Sequence, residues 1–536
     1  MSSPVEAQSE ADATAPIVPG TTREPAPGQP ALHPAALRRD RAASPLHKLV
    51  RTHLATFLAR FEDEHGGRRL PRYVEDEFRA LLRCGDPTFG FVRLQCRGCQ
   101  ADLLVPFSCK GRGFCPTCGG RRMNEASAHL VERVLPTVPV RQWVLSLPWH
   151  LRFALAGDPA LLRQVARAFL RAVSASYRRR GRRFLRERGE VDPGADVAQL
   201  VPGAVNFVQR FGSSLALNVH CHALFLDGVH ITRGPTGPPE FLPAPELQPD
   251  EVVRVHRDAM RRIHRALHRA GRSDLVCSQD DESTNAASDG DLEDPSSSLL
   301  PLLHAASIQD RVALGPGAGR PVPRLRELAA DLRPASQGLS DPDGLTSDGH
   351  GFSLHAATRV DAADSERLKA LIRYVARPAL AQGRLQVRGD GKVKWTLRKP
   401  WRDGTRAFVF DPLTFLERLA ALVPHPREHG WTYHGSLAPA STLRDRIVPR
   451  RAAPPRANSP TGCDASPHRR SWAELLERTF AEDVLRCPRC GGRRHRIATI
   501  TDPLVARRIL RHIGARHEPL PLAPARPPPQ GVLSFA

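Results

Sequence analysis

LALNVHCHALFLDGV, residues 215–229, has the alternating pattern of a buried β-strand. Successive side chains of a strand point to opposite faces of its sheet. One face is apolar throughout and consists of Leu215, Leu217, Val219, Cys221, Ala223 and Phe225. The other face presents His220 and His222 beside each other, about 6–7 Å apart along the strand. Such a pair can bind one divalent cation, but two hydrogen-bonded core histidines would give the same pattern.

The composition favours a nucleic-acid partner. The chain has 536 residues and a net charge of +22 at pH 7, and an excess of this size attracts polyanions. Arginine outnumbers lysine, as in a GC-rich coding sequence, but that bias does not explain the excess of bases over acids. No secretory signal and no apolar run of membrane-spanning length is present, so we expect a cytoplasmic, nucleoid-associated bacterial protein without a membrane partner.

Six of the eleven cysteines lie in C-x-x-C pairs, which in a long chain without a secretory signal is typical of metal binding. Fifteen residues separate the pair Cys96 and Cys99 from the pair Cys115 and Cys118. This spacing is that of a four-thiolate zinc site. Four thiolates leave zinc no open position, so we predict one structural zinc ion. Cys109, which lies between the pairs, could replace one ligand.

Four basic residues flank these cysteines, namely Lys110, Arg112, Arg121 and Arg122. Positive side chains beside a zinc site suit contact with DNA phosphates, although a solvated surface would have the same composition. We therefore expect a basic zinc-binding module that contacts DNA.

A further pair, Cys487 and Cys490, lies near the C-terminus. Two thiolates are half of a tetrahedral zinc site. His495, His512 or His517 could supply the other ligands, but their spacing is irregular. The pair predicts a second zinc site whose remaining ligands the sequence leaves open.

Periodic apolar residues predict the elements around the histidine strand. Helices are predicted over residues 47–61, 73–82, 159–186, 251–270, 412–422 and 472–485. Strands are predicted over residues 141–147, 203–211, 387–397 and 405–410. A turn at Gly212 makes the strand before it the hairpin partner of the histidine strand. The order β-α-β-β-α predicts an α+β fold with one sheet and helices on a face.

A second segment with reactive side chains follows Asp364 or Ser365, either of which can cap a helix. Pro378 ends this helix. Tyr374 lies off the centre of the apolar stripe, so its ring can pack at the edge of the core while its hydroxyl faces a cleft. Arg377 lies on the same side and could neutralise a phosphate. A boundary tyrosine bonded to water would show the same pattern.

The motifs together resemble one family. The triplet His220-Cys221-His222 is similar to the histidine–hydrophobe–histidine (HUH) motif of single-strand endonucleases. The order of motifs resembles that of rolling-circle insertion-sequence transposases with an N-terminal zinc-binding domain, the ISCR-like common-region group. These motifs are the zinc knuckles, FVQRFGSSLALNVHCHALFLDGV, GFSLHA, RYVARPAL, YHG and CPRCGG. The resemblance covers roughly residues 51–511.

The resemblance implies a fold and a set of roles. The fold would be an HUH-endonuclease-like antiparallel sheet with helices, a ferredoxin- or RRM-like palm, preceded by a small zinc-binding domain. His220 and His222 would hold Mg²⁺ or Mn²⁺ on the scissile phosphate of a single-stranded element end. Tyr374 would attack that phosphate and form a 5′-phosphotyrosine, with Arg377 assisting ionisation of the phenol.

The resemblance also implies a third metal ligand, for which the candidates are Gln382, Gln209, Asn218 and His355. Some relatives carry two tyrosines one helical turn apart. In this chain the position four residues after Tyr374 is Pro378, so a single nucleophile is implied.

We predict the following division of the chain. It consists of a disordered tail (1–44), a helical and four-cysteine zinc-binding domain (45–136), a catalytic domain (137–400) with a flexible insertion at 271–298, an extension of the catalytic domain (401–449), a linker (450–470), a small C-x-x-C module (471–518) and a disordered tail (519–536). Two other functions fit these patterns: a replication initiator or relaxase of the HUH class, and a non-catalytic zinc-dependent DNA-binding protein. The oligomeric state and the recognised sequences stay open.

Overall fold

The computed structural model describes residues 36–37, 44–189, 200–232, 239–276, 300–326, 344–449, 473, 477 and 483–526. The helices are α1 (Pro45–Glu64), α2 (Arg72–Arg83), α3 (Pro116–Arg133), α4 (Trp149–Gly157), α5 (Pro159–Glu187), α6 (Pro249–Arg269), α7 (Leu300–Ile308), α8 (Ser365–Val375), α9 (Pro412–Ala421), α10 (Arg444–Ile447) and α11 (Pro503–His512). The strands are β1 (Ala36–Leu37), β2 (Phe91–Cys96), β3 (Asp102–Pro106), β4 (Val140–Ser146), β5 (Gly203–Phe211), β6 (Leu217–Leu226), β7 (Gly228–Thr232), β8 (Pro239–Pro243), β9 (Arg324–Arg326), β10 (Thr346–Gly349), β11 (Phe352–His355), β12 (Arg359–Val360), β13 (Leu385–Val387), β14 (Val393–Thr396), β15 (Thr405–Phe410), β16 (Trp431–Gly435) and β17 (Arg494–Ile500).

The histidine strand β6 lies at the centre of the main sheet. The strand order is β10-β11-β4-β6-β5-β16, with β12 also paired to β4, and every pairing is antiparallel. The predicted hairpin of β5 and β6 is confirmed, with Phe211 opposite Leu217 at its closed end. At the turn Leu215 adopts a positive φ of 65°. The protein is thus a mixed helix and sheet structure whose largest sheet is antiparallel.

Helices cover both faces of this sheet, whereas the sequence predicted helices on one face. The alternate residues of β6 from Leu217 to Phe225 join one apolar cluster with α5 and α6. Leu224 and Leu226 join a second cluster with α3 and α8 on the opposite face. A central strand that is apolar on both faces must be covered on both, which explains the additional layer.

Most of the elements that local patterns predicted are present in the structure. The predicted helices over 47–61, 73–82, 159–186, 251–270 and 412–422 correspond to α1, α2, α5, α6 and α9. The predicted strand 387–397 is divided into β13 and β14. A tight turn separates these two strands, because the backbone N–H of Arg388 donates to the carbonyl of Lys392 and Gly391 has a φ of 79°.

A smaller sheet has the order β1-β3-β2-β17, so it combines strands from both ends of the chain. Strand β17 pairs antiparallel with β2, and Arg494 lies opposite Cys96. The segment 471–518 was predicted as a separate module, but its described part from residue 483 is built into this sheet. Of the helix predicted over 472–485, residues 474–476 and 478–482 lie outside the described residues.

Both predicted tails include residues that the structure describes. Ala36 and Leu37 form β1, parallel to β3. Residues 519–526 run along α1, where the N–H of Ala523 donates to the carbonyl of Arg51 at 3.1 Å. A proline-rich segment is extended and leaves its N–H groups unpaired internally, so they can bond to a neighbouring helix.

The rest of both tails, residues 277–298 of the predicted insertion and the linker 450–470 lie outside the described residues. No helix in the described ranges is both long and apolar enough to cross a bilayer.

Candidate active site and metal centres

His220, His222 and Tyr374 lie together on the sheet face covered by α8. The ring centroids of His220 and His222 are 4.9 Å apart, and those of His222 and Tyr374 are 6.0 Å apart with the rings nearly perpendicular. His222 is 4% exposed, whereas Tyr374 is 44% exposed. The three side chains therefore meet where the apolar core opens to solvent.

Helix α8 carries the tyrosine to this position. Asp364 caps the helix by accepting the N–H of Arg367 at 2.9 Å. Ile372 and Val375 are buried against β5 and β6. Because Tyr374 lies between these two buried positions along the helix, its ring stays at the rim of the packed face.

Gln209 on β5 fixes the C-terminal end of that helix. Its Nε2 donates to the carbonyl oxygen of Tyr374 at 3.3 Å and to that of Val375 at 2.6 Å. Gln209 also lies directly opposite His220 in the β5–β6 pair. One side chain thus connects the tyrosine helix to the histidine strand.

Both imidazoles have their Nδ1 atoms engaged. Nδ1 of His220 donates to the backbone carbonyl of Asn218 at 2.8 Å. Nδ1 of His222 lies 2.7 Å from Nε2 of Gln142 on β4; with that amide turned so that its oxygen faces the ring, Nδ1–H would donate to it and Nε2 of the ring would keep its lone pair for a metal. Nε2 of His222 is buried and has no hydrogen-bond partner among the described residues. Histidine metal ligands characteristically hydrogen-bond through the nitrogen that does not face the metal.

Burial keeps both rings neutral. Loss of solvation, assisted by the nearby charge of Arg377, lowers the pKa of His220 to about 4 and that of His222 to about 3. Neutral imidazole is the form that coordinates metals. The uncharged state of both rings therefore fits a divalent cation.

Arg377 lies beside the phenol, just after α8. Its guanidinium lies 5.1 Å from the ring centroid of Tyr374 and 5.4 Å from that of Phe211. Its Nε is buried and has no hydrogen-bond partner in the described part of the chain. Burial lowers its pKa, but an arginine stays charged at neutral pH. This cation could accept a phosphate as its partner.

The four candidates for a third ligand differ in position. Gln209 has a buried Oε1 without a hydrogen-bond partner among the described residues. Asn218 lies two residues before His220 on the same face. His355 is two strands from His222, because it lies opposite Val144, which lies opposite His222. The side chain of Gln382 lies outside the described part of the chain.

Sequence reasoning missed Gln142. The signal was available, because Gln142 is a polar residue in the mainly apolar strand 141–147, on the face that Leu224 shares with the histidines. It could have been read as a partner for a buried polar group.

The cysteines form two four-sulfur clusters, and their grouping differs from the predicted one. The first cluster is Cys84, Cys109, Cys115 and Cys118, and the second cluster is Cys96, Cys99, Cys487 and Cys490. Within each cluster all sulfur atoms lie within 4.8 Å of one another. A single site made of the pairs 96/99 and 115/118 was therefore wrong, as was completion of the C-terminal pair by His495, His512 or His517.

The fold explains the regrouping. Cys96 and Cys99 lie at the turn between β2 and β3, whereas Cys115 and Cys118 lie at the start of α3. Cys84, at the end of α2, belongs to no C-x-x-C pair, so spacing gave no reason to include it.

The first cluster fits zinc. Its sulfur atoms lie close together, for example 3.4 Å between Cys109 and Cys118. Hydrogen bonds from the thiols of Cys109, Cys115 and Cys84 lower the pKa of Cys118 far below the usual range. Four thiolates in closed tetrahedral coordination are the donor set of a structural zinc site.

Two of the four flanking basic residues, Arg112 and Arg122, donate to backbone carbonyls of the protein. Arg112 donates to the carbonyl oxygens of His425, at 2.9 Å, and Glu428. Arg122 donates to the carbonyls of Lys110 and Gly111 at 3.2 and 3.0 Å. Burial lowers the pKa of Arg122.

Comparison with known families identifies both regions. Residues 49–147 match the family model Zn_Tnp_IS91, described as "Transposase zinc-binding domain", and residues 203–444 match the model Y2_Tnp, described as "Putative transposase". The chain belongs to the IS91 family of transposases. No curated protein and no solved structure matches it. Membership of this transposase family implies that DNA is the partner of the chain. It also confirms the prediction of a transposase with a zinc-binding domain.

The two matched regions of this transposase contain different sites. The first match contains the whole of the first cluster, and the second contains His220, His222 and Tyr374. Cys487 and Cys490 lie outside both matches.

Proposed function

We propose that this IS91-family transposase is an HUH-class enzyme that nicks and joins single-stranded DNA at the ends of a rolling-circle insertion sequence. The observation that carries the proposal is the convergence of His220, His222 and Tyr374, with 6.0 Å between the phenol ring and the nearer imidazole. A pair of adjacent imidazoles, one buried and one half-buried, and a half-exposed phenol are the groups that a metal-dependent tyrosine nuclease needs.

In this proposal Nε2 of His220 and of His222 hold a divalent ion, and Oε1 of Gln209 is the third ligand. Asn218 Oδ1 and Gln209 Oε1 are both buried without a partner among the described residues, and Gln209 is favoured because the bonds from its Nε2 to the α8 carbonyls hold its amide in place. Two imidazoles and one oxygen suit Mn²⁺ better than Mg²⁺, which prefers oxygen ligands. Such an ion polarises the oxygens of the scissile phosphate.

Tyr374 supplies the nucleophile. Its Oη forms a bond to phosphorus, the bond from phosphorus to the 3′-oxygen breaks, and the 3′-oxygen takes up a proton to become a hydroxyl. The phenolic proton passes to solvent, which the half-exposed side chain can reach. Arg377 stabilises the negative charge beside the ring. One phosphodiester replaces another, so the strand can be rejoined without ATP.

A cavity of about 720 Å³ extends from this site towards the first cluster. Its lining includes Gln209 and Arg377, Arg122 of the zinc region, and the half-buried rings of Trp431 and Tyr433. Cationic side chains interleaved with aromatic rings are typical of single-strand binding sites, where bases stack and phosphates are neutralised. We propose that unpaired nucleotides next to the scissile phosphate occupy this cavity.

A Tyr374→Phe substitution tests the proposal. With a labelled single-stranded element end and Mn²⁺ or Mg²⁺, the variant should form no covalent adduct and yet bind the oligonucleotide. Tyr73→Phe is the matched control, because the Tyr73 hydroxyl is buried without a hydrogen-bond partner among the described residues. Adduct formation by Tyr374→Phe would overturn the assignment. Zinc-dependent DNA binding without nicking under either ion, by the unaltered protein, would favour a non-catalytic protein instead.

A further inference from the structure

The C-terminal segment, defined here as residues 483–526, completes the core of the N-terminal zinc region. Strand β17 adds to the edge of β2, with Ile500 opposite Phe91. On one face of that sheet, Ala506 and Leu510 of α11 are fully buried against Phe91 and Leu104.

The other face of the same sheet is also covered by the C-terminal segment. Val484 packs with Leu94, Leu103 and Val105. Leu94 is fully buried as a result. Residues of the C-terminal segment therefore lie on both sides of the β2–β3 hairpin.

The second cluster lies at the point where these two parts of the chain meet. The sulfur atoms of Cys96 and Cys490 are 3.4 Å apart, and those of Cys99 and Cys487 are 3.6 Å apart. Each C-x-x-C pair lies on a tight turn, and the residue after each pair, Gln100 or Gly491, has a positive φ of 57° or 68°. The two turns thus present two sulfurs each towards a common centre.

The backbone around the second cluster leaves little free space. A Cβ atom on Gly492 would lie 3.2 Å from the sulfur atoms of both Cys490 and Cys96, and one on Gly98 would lie 3.4 Å from that of Cys490. The guanidinium of Arg494 lies 4.0 Å from the sulfur of Cys487, where it can offset the negative charge of a four-thiolate centre. Glycine turns and a neighbouring cation are what close approach of four thiolates requires.

We infer that Cys96, Cys99, Cys487 and Cys490 bind a second structural zinc ion, and that this ion joins the two ends of the chain into one composite zinc-binding domain. This inference does not depend on the proposed nicking activity. Cys96 and Cys490 are 394 positions apart, so the ion closes a very long loop. Its binding energy therefore adds to the folding of the composite domain.

The two zinc centres should differ in lability. Cys490 is exposed in the second cluster, whereas no member of the first cluster is exposed. A chelator can reach an exposed thiolate first. The second zinc ion should therefore be released before the first.

Counting zinc ions tests the assignment. Native mass spectrometry of the full chain should show two zinc ions. The double variant Cys487→Ser/Cys490→Ser should retain one ion, and so should Cys109→Ser/Cys118→Ser. If the C-terminal variant retained the zinc content of the unaltered chain, Cys487 and Cys490 would not be ligands and the inference would fall.

A second measurement tests the joining of the ends. A protease site is inserted within residues 450–470 of the full chain, which is then cut. With zinc bound, the two fragments should stay together on dilution, and after chelation the C-terminal fragment should dissociate at least about tenfold faster. A cut Cys487→Ser/Cys490→Ser protein should behave like the chelated one. Equal dissociation rates with and without zinc would overturn the role of the ion as a link, even if two ions were counted.

Discussion

Gly119 and Pro378 are in direct contact, and a Cβ atom on Gly119 would lie only 2.4 Å from the Cβ of Pro378. Gly119 follows the zinc-cluster residue Cys118, and Pro378 follows Arg377 beside the phenol. The first zinc cluster therefore lies against the segment that ends the tyrosine helix. We expect loss of that zinc ion to disturb the position of Tyr374 as well as the zinc region.

Gly119→Ala tests this contact. The added methyl group must displace Pro378, so we expect nicking to fall by about tenfold or more while zinc content stays the same. Gly120→Ala is the matched control, because a Cβ there would meet nothing within 4 Å. The measurement is the single-turnover rate of adduct formation. Equal rates in both variants would show that the contact does not position the tyrosine.

Gln209→Ala tests the third ligand. Loss of Oε1 should raise the Mn²⁺ concentration needed for half-maximal nicking by about 10- to 100-fold. The same change removes the hydrogen bonds to the carbonyls of Tyr374 and Val375, so part of the loss should remain at saturating Mn²⁺. Gln209→Glu keeps an oxygen ligand and should retain tighter metal binding than the alanine variant. An unchanged metal dependence in Gln209→Ala would exclude this residue as a ligand.

Trp431→Ala tests the path of the DNA. Stacking of one base is worth about 1–3 kcal/mol, so affinity for single-stranded DNA should fall by about 5- to 150-fold. Trp149→Ala serves as the control, since Trp149 is 53% exposed and does not line the cavity. Fluorescence anisotropy with a labelled oligonucleotide, in a Tyr374→Phe background without added Mn²⁺ or Mg²⁺, measures binding without cleavage and leaves the structural zinc in place. If both variants bound equally well, the bases would not stack on Trp431.

Glu417→Gln tests a buried carboxyl remote from the active site. Burial raises the pKa of Glu417 to about 7, although the N–H of Ala313 donates to it and Arg418 lies beside it. At pH values between the ordinary pKa of a glutamate and 7, Glu417 keeps its proton in the folded state and has lost it in the unfolded state. Stability therefore falls as the pH rises through this window.

The glutamine variant has no charge to bury. Relative to it, the unaltered protein should lose about 2–3 kcal/mol of unfolding free energy between pH 4 and pH 8. Urea denaturation of both proteins at the two pH values measures this difference. Parallel pH profiles would contradict the raised pKa.

Local patterns explain what could be predicted. The two faces of β6 follow from a period of two, and the cap at Asp364 and the end of α8 before Pro378 follow from helix chemistry. The pairing of β5 with β6 followed from the short turn between them. These signals all act within a few residues.

Features that depend on distant residues could not be predicted in this way. The closeness of Tyr374 to His222 was implied by family resemblance, because no local pattern places α8 on that face. The predicted grouping of the cysteines was wrong for the same reason. Motif spacing relates only cysteines that are near each other in sequence, whereas Cys96 is brought close to Cys490 by the pairing of β2 with β17.

The composite sheet has a genetic consequence. A gene copy interrupted before codon 483 would encode a product whose Phe91, Leu94 and Leu104 lose their covering residues. We expect such a product to be degraded instead of persisting as a DNA-binding competitor. Decayed copies of the element would then leave its intact copies uninhibited.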